Sequence, residues 1–361
     1  IIYNSPQLFV LDTIIKDGLI SANIILKFDE NGKLKENYKI NGSVKKVKLK
    51  ILNQIKLQNL SLKFDIAKNI YSLKSVDMKL NNTNITSSLI KIKRKEKSFF
   101  VNGQFLNENR SFDIEDLRPI IFNLFNDINI KKIQFSSIND FSFNINNKLK
   151  LKDLKVKASI DLKELIINEK NLKLKKYFPN FEEELKFKAH KLVIDYYKDK
   201  FKIKGSGSIL LGNKLDNLSY QIIRNKNNIF FDSKINLKNN SLLIDFLNYE
   251  KKEGLSSLIF IKGNFENNNQ LNLDLINIKE KSNEILVKDL NLSKNFKILD
   301  IKNFNINYRN NKKILNKLKL KKDNSNFIIE GESFDASRII NNIMDKDDES
   351  PSIFMNLNSK I

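Results

Sequence analysis

Apolar residues recur at every second position, segment after segment. A period of two is the pattern of strands that bury one face and wet the other. Leu60, Leu62, Phe64 and Ile66 alternate with Ser61, Lys63 and Asp65. Phe141, Phe143 and Ile145 alternate with Ser142 and Asn144, and Leu154, Val156, Ala158, Ile160 and Leu162 alternate with Lys155, Lys157, Ser159 and Asp161. Leu271, Leu273 and Leu275 flank Asn272 and Asp274, and Phe304 and Ile306 flank Asn305. Asn31-Gly32, Asn102-Gly103 and Asn225-Lys226-Asn227-Asn228 read as the turns between such strands.

Several strands change phase once, at a polar pair followed by an apolar residue. Leu57-Gln58-Asn59-Leu60, Leu151-Lys152-Asp153-Leu154, Val287-Lys288-Asp289-Leu290 and Ile301-Lys302-Asn303-Phe304 do so, and Leu215-Asp216-Asn217-Leu218 offers a fifth case. A strand keeps one face inward across such a skip only through a bulge or tight turn. Asn and Asp tolerate the left-handed conformation this requires. The copies are irregularly spaced, which excludes a fixed-period solenoid.

Helical signals are few. Residues 114–126 place Leu117, Ile120, Ile121, Leu124 and Phe125 on one face, with the start at the Asp113 cap or at Pro119. Tyr177 to Leu185 reads as a short helix after Pro179, with Glu182-Glu183-Glu184 on its solvated face. Residues 335–344 form a third, with Asp335 as the cap and Ile339, Ile340, Ile343 and Met344 as the apolar stripe. The acidic stretch 345–349 follows as an exposed loop. The expected fold is mainly β: a long antiparallel, strongly twisted and curved sheet forming an elongated groove, with a few short helices. It is read as one elongated segment, divisible into 1–165, with the helix near 114–126, and 166–361, with the helix near 335–344.

Composition narrows the function classes. Hydrophobic residues make up 41% of 361, enough for a sizeable core. With only 10 Gly and 4 Pro, Asn takes their place in the turns. The net charge of +22 comes from Lys spread along the whole chain and alternating with apolar residues, the usage of an AT-rich genome rather than a clustered basic patch. Phe residues fall on the apolar phase and Lys on the other, which argues for an amphipathic sheet and against a nucleic-acid stacking platform. The chain opens on Ile1-Ile2-Tyr3 and reads as an excerpt of a longer protein, so that a signal peptide or membrane anchor would lie outside it. No apolar run approaches the roughly 18 residues of a membrane span.

The inventory of reactive groups points away from catalysis. There is no Cys, and His190 is the one histidine, so a His-based triad or a zinc site has no support. Gly205-Ser206-Gly207-Ser208 lacks the Lys-Ser/Thr ending of a phosphate loop, and a strand start is expected there. Asp345, Asp347 and Asp348 lack the Gly and the bidentate Glu of a calcium loop. No catalytic residue, metal or cofactor is expected.

Two stretches resemble a known family. Lys204-Gly205-Ser206-Gly207-Ser208-Ile209-Leu210-Leu211-Gly212, followed by Leu218-Ser219-Tyr220-Gln221, is similar to the central region of the AsmA-like superfamily, in its YhdP-like branch. Ile329-Glu330-Gly331-Glu332-Ser333-Phe334-Asp335-Ala336-Ser337 resembles that branch's strand-to-helix junction. The resemblance runs from about residue 40 to 345, and the low Gly content departs from it. It implies a bridge-like lipid transport protein of a Gram-negative bacterium, anchored in the inner membrane by a region outside this segment. Such a protein projects a β-groove across the periplasm, carries phospholipid toward the outer membrane and supports that barrier.

The physics suits that implication. Exposing an acyl chain to water costs roughly 0.8 kcal/mol per CH₂, on the order of 12 kcal/mol for a 16-carbon tail. An apolar trough removes most of that barrier without chemistry. By strand phase, the lining would be Leu60, Leu62, Phe64, Ile66, Phe141, Phe143, Ile145, Leu154, Val156, Ile160, Leu271, Leu273, Leu275, Phe304 and Ile306. Phospholipid is the expected partner, with both membranes reached through other regions and no nucleic acid. The alternative is a structural or adhesive envelope protein whose β-core is closed and carries no cargo.

Overall fold

The computed structural model describes residues 15–33, 38–52, 55–67, 69–80, 83–112, 129–148, 150–168, 174–266, 270–324, 326–344 and 357–359. The fold is mainly β and antiparallel, with few helices, and it does not close into a barrel. The chain divides into two compact units, residues 1–163 with 193–198, and residues 164–192 with 199–361.

The first unit is a meander in which each strand pairs with the next. β1 (Ile15–Ile25), β2 (Lys39–Leu52), β3 (Ile55–Ala67), β4 (Ile70–Leu80), β5 (Thr83–Lys95), β6 (Ser98–Phe112) and β7 (Ile130–Asn146) are joined in this way. β8 (Leu151–Asn168) follows. The helix expected over 114–126 falls outside the described residues, as does the acidic stretch 345–349.

β9 (Glu184–Tyr197) belongs to the second unit up to Leu192 and to the first from Val193; the second unit continues with β10 (Lys200–Leu210), β11 (Leu215–Asn225) and β12 (Asn228–Leu237). A small hairpin, β13 (Leu242–Ile244) and β14 (Tyr249–Lys251), interrupts the meander. It resumes with β15 (Ser257–Glu266), β16 (Gln270–Glu280), β17 (Asn283–Ser293), β18 (Ile298–Arg309), β19 (Leu315–Asp323) and β20 (Asn326–Ser333). Among the described residues, β21 (Leu357–Ser359) adds the one parallel pairing, on β20. Helix α1 spans Ser337–Met344. The Asp335 carboxylate accepts from the Ser337 amide at 3.2 Å and its hydroxyl at 2.6 Å, so the capping expectation holds two residues ahead of the helix.

The phase changes are left-handed bulges. Asn59, Asp153 and Asp289 have φ of 53°, 54° and 53°. Lys46, Ser75 and Ala189 repeat the geometry at 52°, 50° and 51°, in Val44-Lys45-Lys46-Val47, Leu73-Lys74-Ser75-Val76 and Phe187-Lys188-Ala189-His190. Asn303 and Asn217 do not adopt it. β18 nevertheless changes phase between Ile301 and Phe304, which face Leu290 and Val287 across the ladder. The β10–β11–β12 register runs through Asp216 and Asn217 without a shift.

Neighbouring strands change phase together. Leu273 pairs with Leu290 and Ile276 with Val287, so β16, β17 and β18 each carry the extra residue at one level. β15 carries none, and the mismatch appears there as a register shift between Lys262 and Gly263. Since bulges bend a strand and increase its twist, such a line is a crease that bends several strands at once.

Three local expectations are corrected. Residues 177–183 are irregular after a 3-10 turn at Leu174–Lys176, because Phe178 and Phe181 are drawn into the core and Glu183 takes φ 62°. Asn102-Gly103 is mid-strand: a Cβ on Gly103 would stand 3.0 Å from both Ile90 and Phe141, so the glycine makes room for a ring. Gly205 to Ser208 are also mid-strand, in β10, where Gly207 lies under His190 and Gly205 under Tyr220.

Candidate functional site

The candidate site is the apolar inner face. Strand pairing sets it: residues directly opposite across a ladder share a face. In the first unit, Leu62 lies opposite Val44, Phe64 opposite Gly42 and Leu73, and Ile66 opposite Ile40 and Tyr71. Leu60, Leu62, Phe141, Phe143 and Ile145 pack around the buried residues Leu57, Val76, Met78, Ile90 and Val101. Phe141 stacks on Phe105 at 4.6 Å and on Phe143 at 5.8 Å. Leu154, Val156 and Ile160 are half-buried on the phase of β8 that also carries Ala158 and Leu162. Toward β1 the face opens to solvent. Ile20 and Ile24, opposite Val44 and Ile40, are 62% and 56% exposed.

In the second unit the inner face has two parts of different chemistry. One part holds Leu218, Leu237, Ile259, Ile278, Ile285, Ile306 and Tyr308. It is covered by Leu242, Ile244, Leu247 and Tyr249 of the hairpin segment and by Phe178 and Phe181. Leu237 and Ile306 are wholly buried. Phe304 packs at the edge of this cluster. The other part clusters Leu271, Leu273 and Leu290 with Phe231, Phe265, Ile276, Val287, Leu292 and Ile301. All of these belong to the sheet itself, and among the described residues no hairpin or helix side chain joins them.

Every lining residue expected from strand phase lies on the inner phase except Leu275. Leu275 pairs with Lys262 and Lys288, whereas its neighbour Ile276 pairs with Ile261 and Val287 of the core face. The crease at Asp274 turns Leu275 to the outer, lysine-bearing side. Lysines also meet aromatic rings outside: Lys234 Nζ lies 5.5 Å from the Phe260 centroid.

Sequence reasoning missed a buried polar group under the hairpin. The Asp216 carboxylate accepts the amides of Lys238 and Asn239 at 2.8 Å each, that of Asn240 at 3.2 Å, and the Asn240 side chain at 2.7 Å. Lys251 is wholly buried and donates to the carbonyls of Lys238 at 3.1 Å and Asn240 at 2.6 Å; burial lowers its pKa. Tyr249 donates to Glu280 at 2.8 Å, and Tyr308 to the Leu247 carbonyl. Burial raises the pKa of both tyrosines.

His190 is wholly buried. Its Nε2 lies 2.9 Å from the Ser208 carbonyl, which fixes Nε2 as the donor, while Nδ1 has no partner. Its ring meets Phe187 edge-on at 5.6 Å and lies 5.8 Å from Tyr220, whose pKa burial raises to about 12.

Among the described residues no His, Asp and Glu groups stand close enough to hold a metal, and no helix is long and apolar enough to cross a membrane. No protein-family model, curated protein or solved structure matches the chain.

Proposed function

We propose that the chain is a non-enzymatic segment of a lipid conduit, whose inner sheet face shields phospholipid acyl chains between the inner and outer membranes of a Gram-negative envelope. One observation carries the reading. The cluster of Phe231, Phe265, Leu271, Leu273, Leu290 and Leu292 is apolar and made by one sheet face alone. Its Leu271, Leu273 and Leu290 are buried and its Phe231, Phe265 and Leu292 half-buried, with no hairpin or helix side chain over them among the described residues, and a half-open apolar face of this kind suits an acyl chain. Exposed Ile20 and Ile24 support the same reading in the first unit. The outer lysines would keep the sheet in solution and meet anionic headgroups.

A second reading, a structural envelope scaffold without cargo, is favoured by the covered part of the second unit, where the chain fills its own inner face.

Native mass spectrometry with lipid extraction, on protein purified without detergent, separates the two. The conduit predicts co-purified phospholipid that is lost in Leu62→Asp and Phe143→Asp, with circular dichroism to verify that each variant still folds. Leu292→Asp, at the edge of the uncovered cluster, is the parallel variant in the second unit. Lipid-free, monodisperse wild-type protein would instead favour the scaffold.

A further inference from the structure

We infer that strand β1 is a docking edge for a second copy of this chain, the two β1 strands pairing antiparallel about a twofold axis through Ala22. The inference is independent of the lipid-conduit reading, because it uses the backbone edge of the sheet and leaves Ile20 and Ile24 on the inner face.

The edge is the first observation. β1 pairs with β2, and among the described residues no ladder lies along its other side. Such an edge holds N–H and C=O groups ready for another strand, and edge strands are ordinarily blunted by charge, proline or brevity. β20, the last antiparallel strand of the second unit, carries Glu330 and Glu332. β1 has no such guard. Leu19-Ile20-Ser21-Ala22-Asn23-Ile24-Ile25 runs without a charge, a Pro or a Gly. All of these residues are exposed, Leu19 at 74%. A stretch of this composition on an open edge favours pairing with another strand over remaining bare.

The order of side chains selects the strand that fits. About Ala22 the stretch reads alike in both directions. Antiparallel pairing with a second copy sets Ile20 opposite Ile24 and Ala22 opposite Ala22 on the inner face. It sets Leu19 opposite Ile25 and Ser21 opposite Asn23 on the outer face. Apolar meets apolar and polar meets polar in each of these pairs. The same register brings Asp17 opposite the second copy's Lys27 at both ends, an opposite-charge pair made twice. Both side chains are exposed, and Asp17 meets Lys48 of its own chain at 3.5 Å. A slip by two residues is the smallest that keeps the inner positions on one face. One such slip sets Leu19 against Asn23 and Asp17 against Ile25, and the other sets Ser21 against Ile25 and Leu19 against Lys27. Only the register about Ala22 matches throughout. The contact is isologous and closes after two copies, because each β1 has one free edge and the pairing uses both.

The full chain has no Cys, so single cysteines report the pairing. Ala22→Cys is expected to give a disulfide-linked dimer under mild oxidation, since Ala22 faces itself. Ile25→Cys is expected to stay unlinked, because the two sites lie six residues, roughly 20 Å, apart along the pair. Sedimentation velocity at physiological ionic strength is expected to show wild type passing from monomer to dimer in the micromolar range. Ser21→Lys combined with Asn23→Lys sets like charges opposite each other twice and weakens the dimer by about tenfold or more. Ser21→Lys combined with Asn23→Glu makes both pairs opposite in charge and restores the dimer to within about threefold of wild type. Ser21 and Asn23 are exposed, and circular dichroism verifies that the variants fold. Wild type that stays monomeric through that range, linkage as efficient at Ile25 as at Ala22, or a dimer indifferent to the two lysines would overturn the inference. A monomer whose Leu19 to Ile25 amides exchange slowly would overturn it as well, and would assign the edge to another stretch of the same chain.

Discussion

His190 makes pH a single-residue probe of this fold, because it is the sole histidine. Its ring is wholly buried, its Nε2–H is used by Ser208, and its Nδ1 has no partner ready to receive a proton's charge. Burial lowers its pKa, against a smaller opposing effect of the Ser208 hydrogen bond. The unfolded chain binds a proton at the ordinary value near 6.5, so below that pH it holds more protons than the folded chain. Stability is therefore complete above that value and falls as the pH drops through it. The slope has a ceiling of about 1.4 kcal/mol per pH unit, reached while the native imidazole stays neutral. Integrated from about pH 7.5 to 5.5, that ceiling amounts to roughly 1.4 kcal/mol, with an unfolded pKa near 6.5. The assay is the urea midpoint at the two pH values, in wild type and in His190→Gln, which keeps an N–H donor. Carboxylates titrate in both proteins, so the difference between their pH slopes isolates His190. Isotope-labelled histidine gives one imidazole signal by nuclear magnetic resonance. The reasoning is refuted if the variant keeps the wild-type slope, or if that signal titrates near 6.5 in the folded protein.

Three further outcomes are expected from equilibrium unfolding. Leu273→Thr removes apolar contacts and buries a hydroxyl, costing about 2–4 kcal/mol, whereas Leu275→Thr, on the outer face, costs under about 1 kcal/mol; equal costs would place Leu275 inside after all. Asp289→Val puts a β-branched residue at φ 53° and costs about 1–3 kcal/mol, while Asp289→Gly is neutral within about 1 kcal/mol, and the reverse order would show that no left-handed bulge forms there. Gly207→Ala brings a Cβ to 2.4 Å from His190 Cδ2, with a cost of roughly 1–3 kcal/mol and a shifted imidazole signal; an unchanged midpoint would mean the ring does not rest on Gly207.

The alternation was enough to read the strands, since one buried face imposes it directly. The bulges were legible where the third residue was Asn or Asp, as at Asn59, Asp153 and Asp289. They were missed at Lys46, Ser75 and Ala189, whose residue types carry no left-handed signal, although the spacing of two polar or small residues between apolar ones was the same. Leu275 was misread for a different reason. Leu271, Leu273 and Leu275 alternate without fault, and the crease that turns Leu275 outward is imposed by β17 and β18, which change phase at the same level. Gly103 and Gly207 looked like turn or strand-start residues because the rings that need their space, Phe141 and His190, are far away in sequence. The expected helix after Pro179 lost to the burial of Phe178 and Phe181. The hairpin segment gave no local sign, because Asp216 and Glu280, which fix it, belong to other strands.

The buried polar groups of the second unit carry the last step. A scaffold selected for stability alone has no use for a buried Lys251 or Asp216, because apolar residues of similar volume hold such sites as well or better. What polar fastenings supply is position: each amide and carbonyl of the segment has one place where it is satisfied, and sliding by a residue breaks several bonds at once. Apolar packing of the kind Leu242, Ile244 and Leu247 contribute would tolerate that slide. Fastening the segment in this way fixes it over the part of the inner face that ends at Asp216, Glu280 and Tyr308.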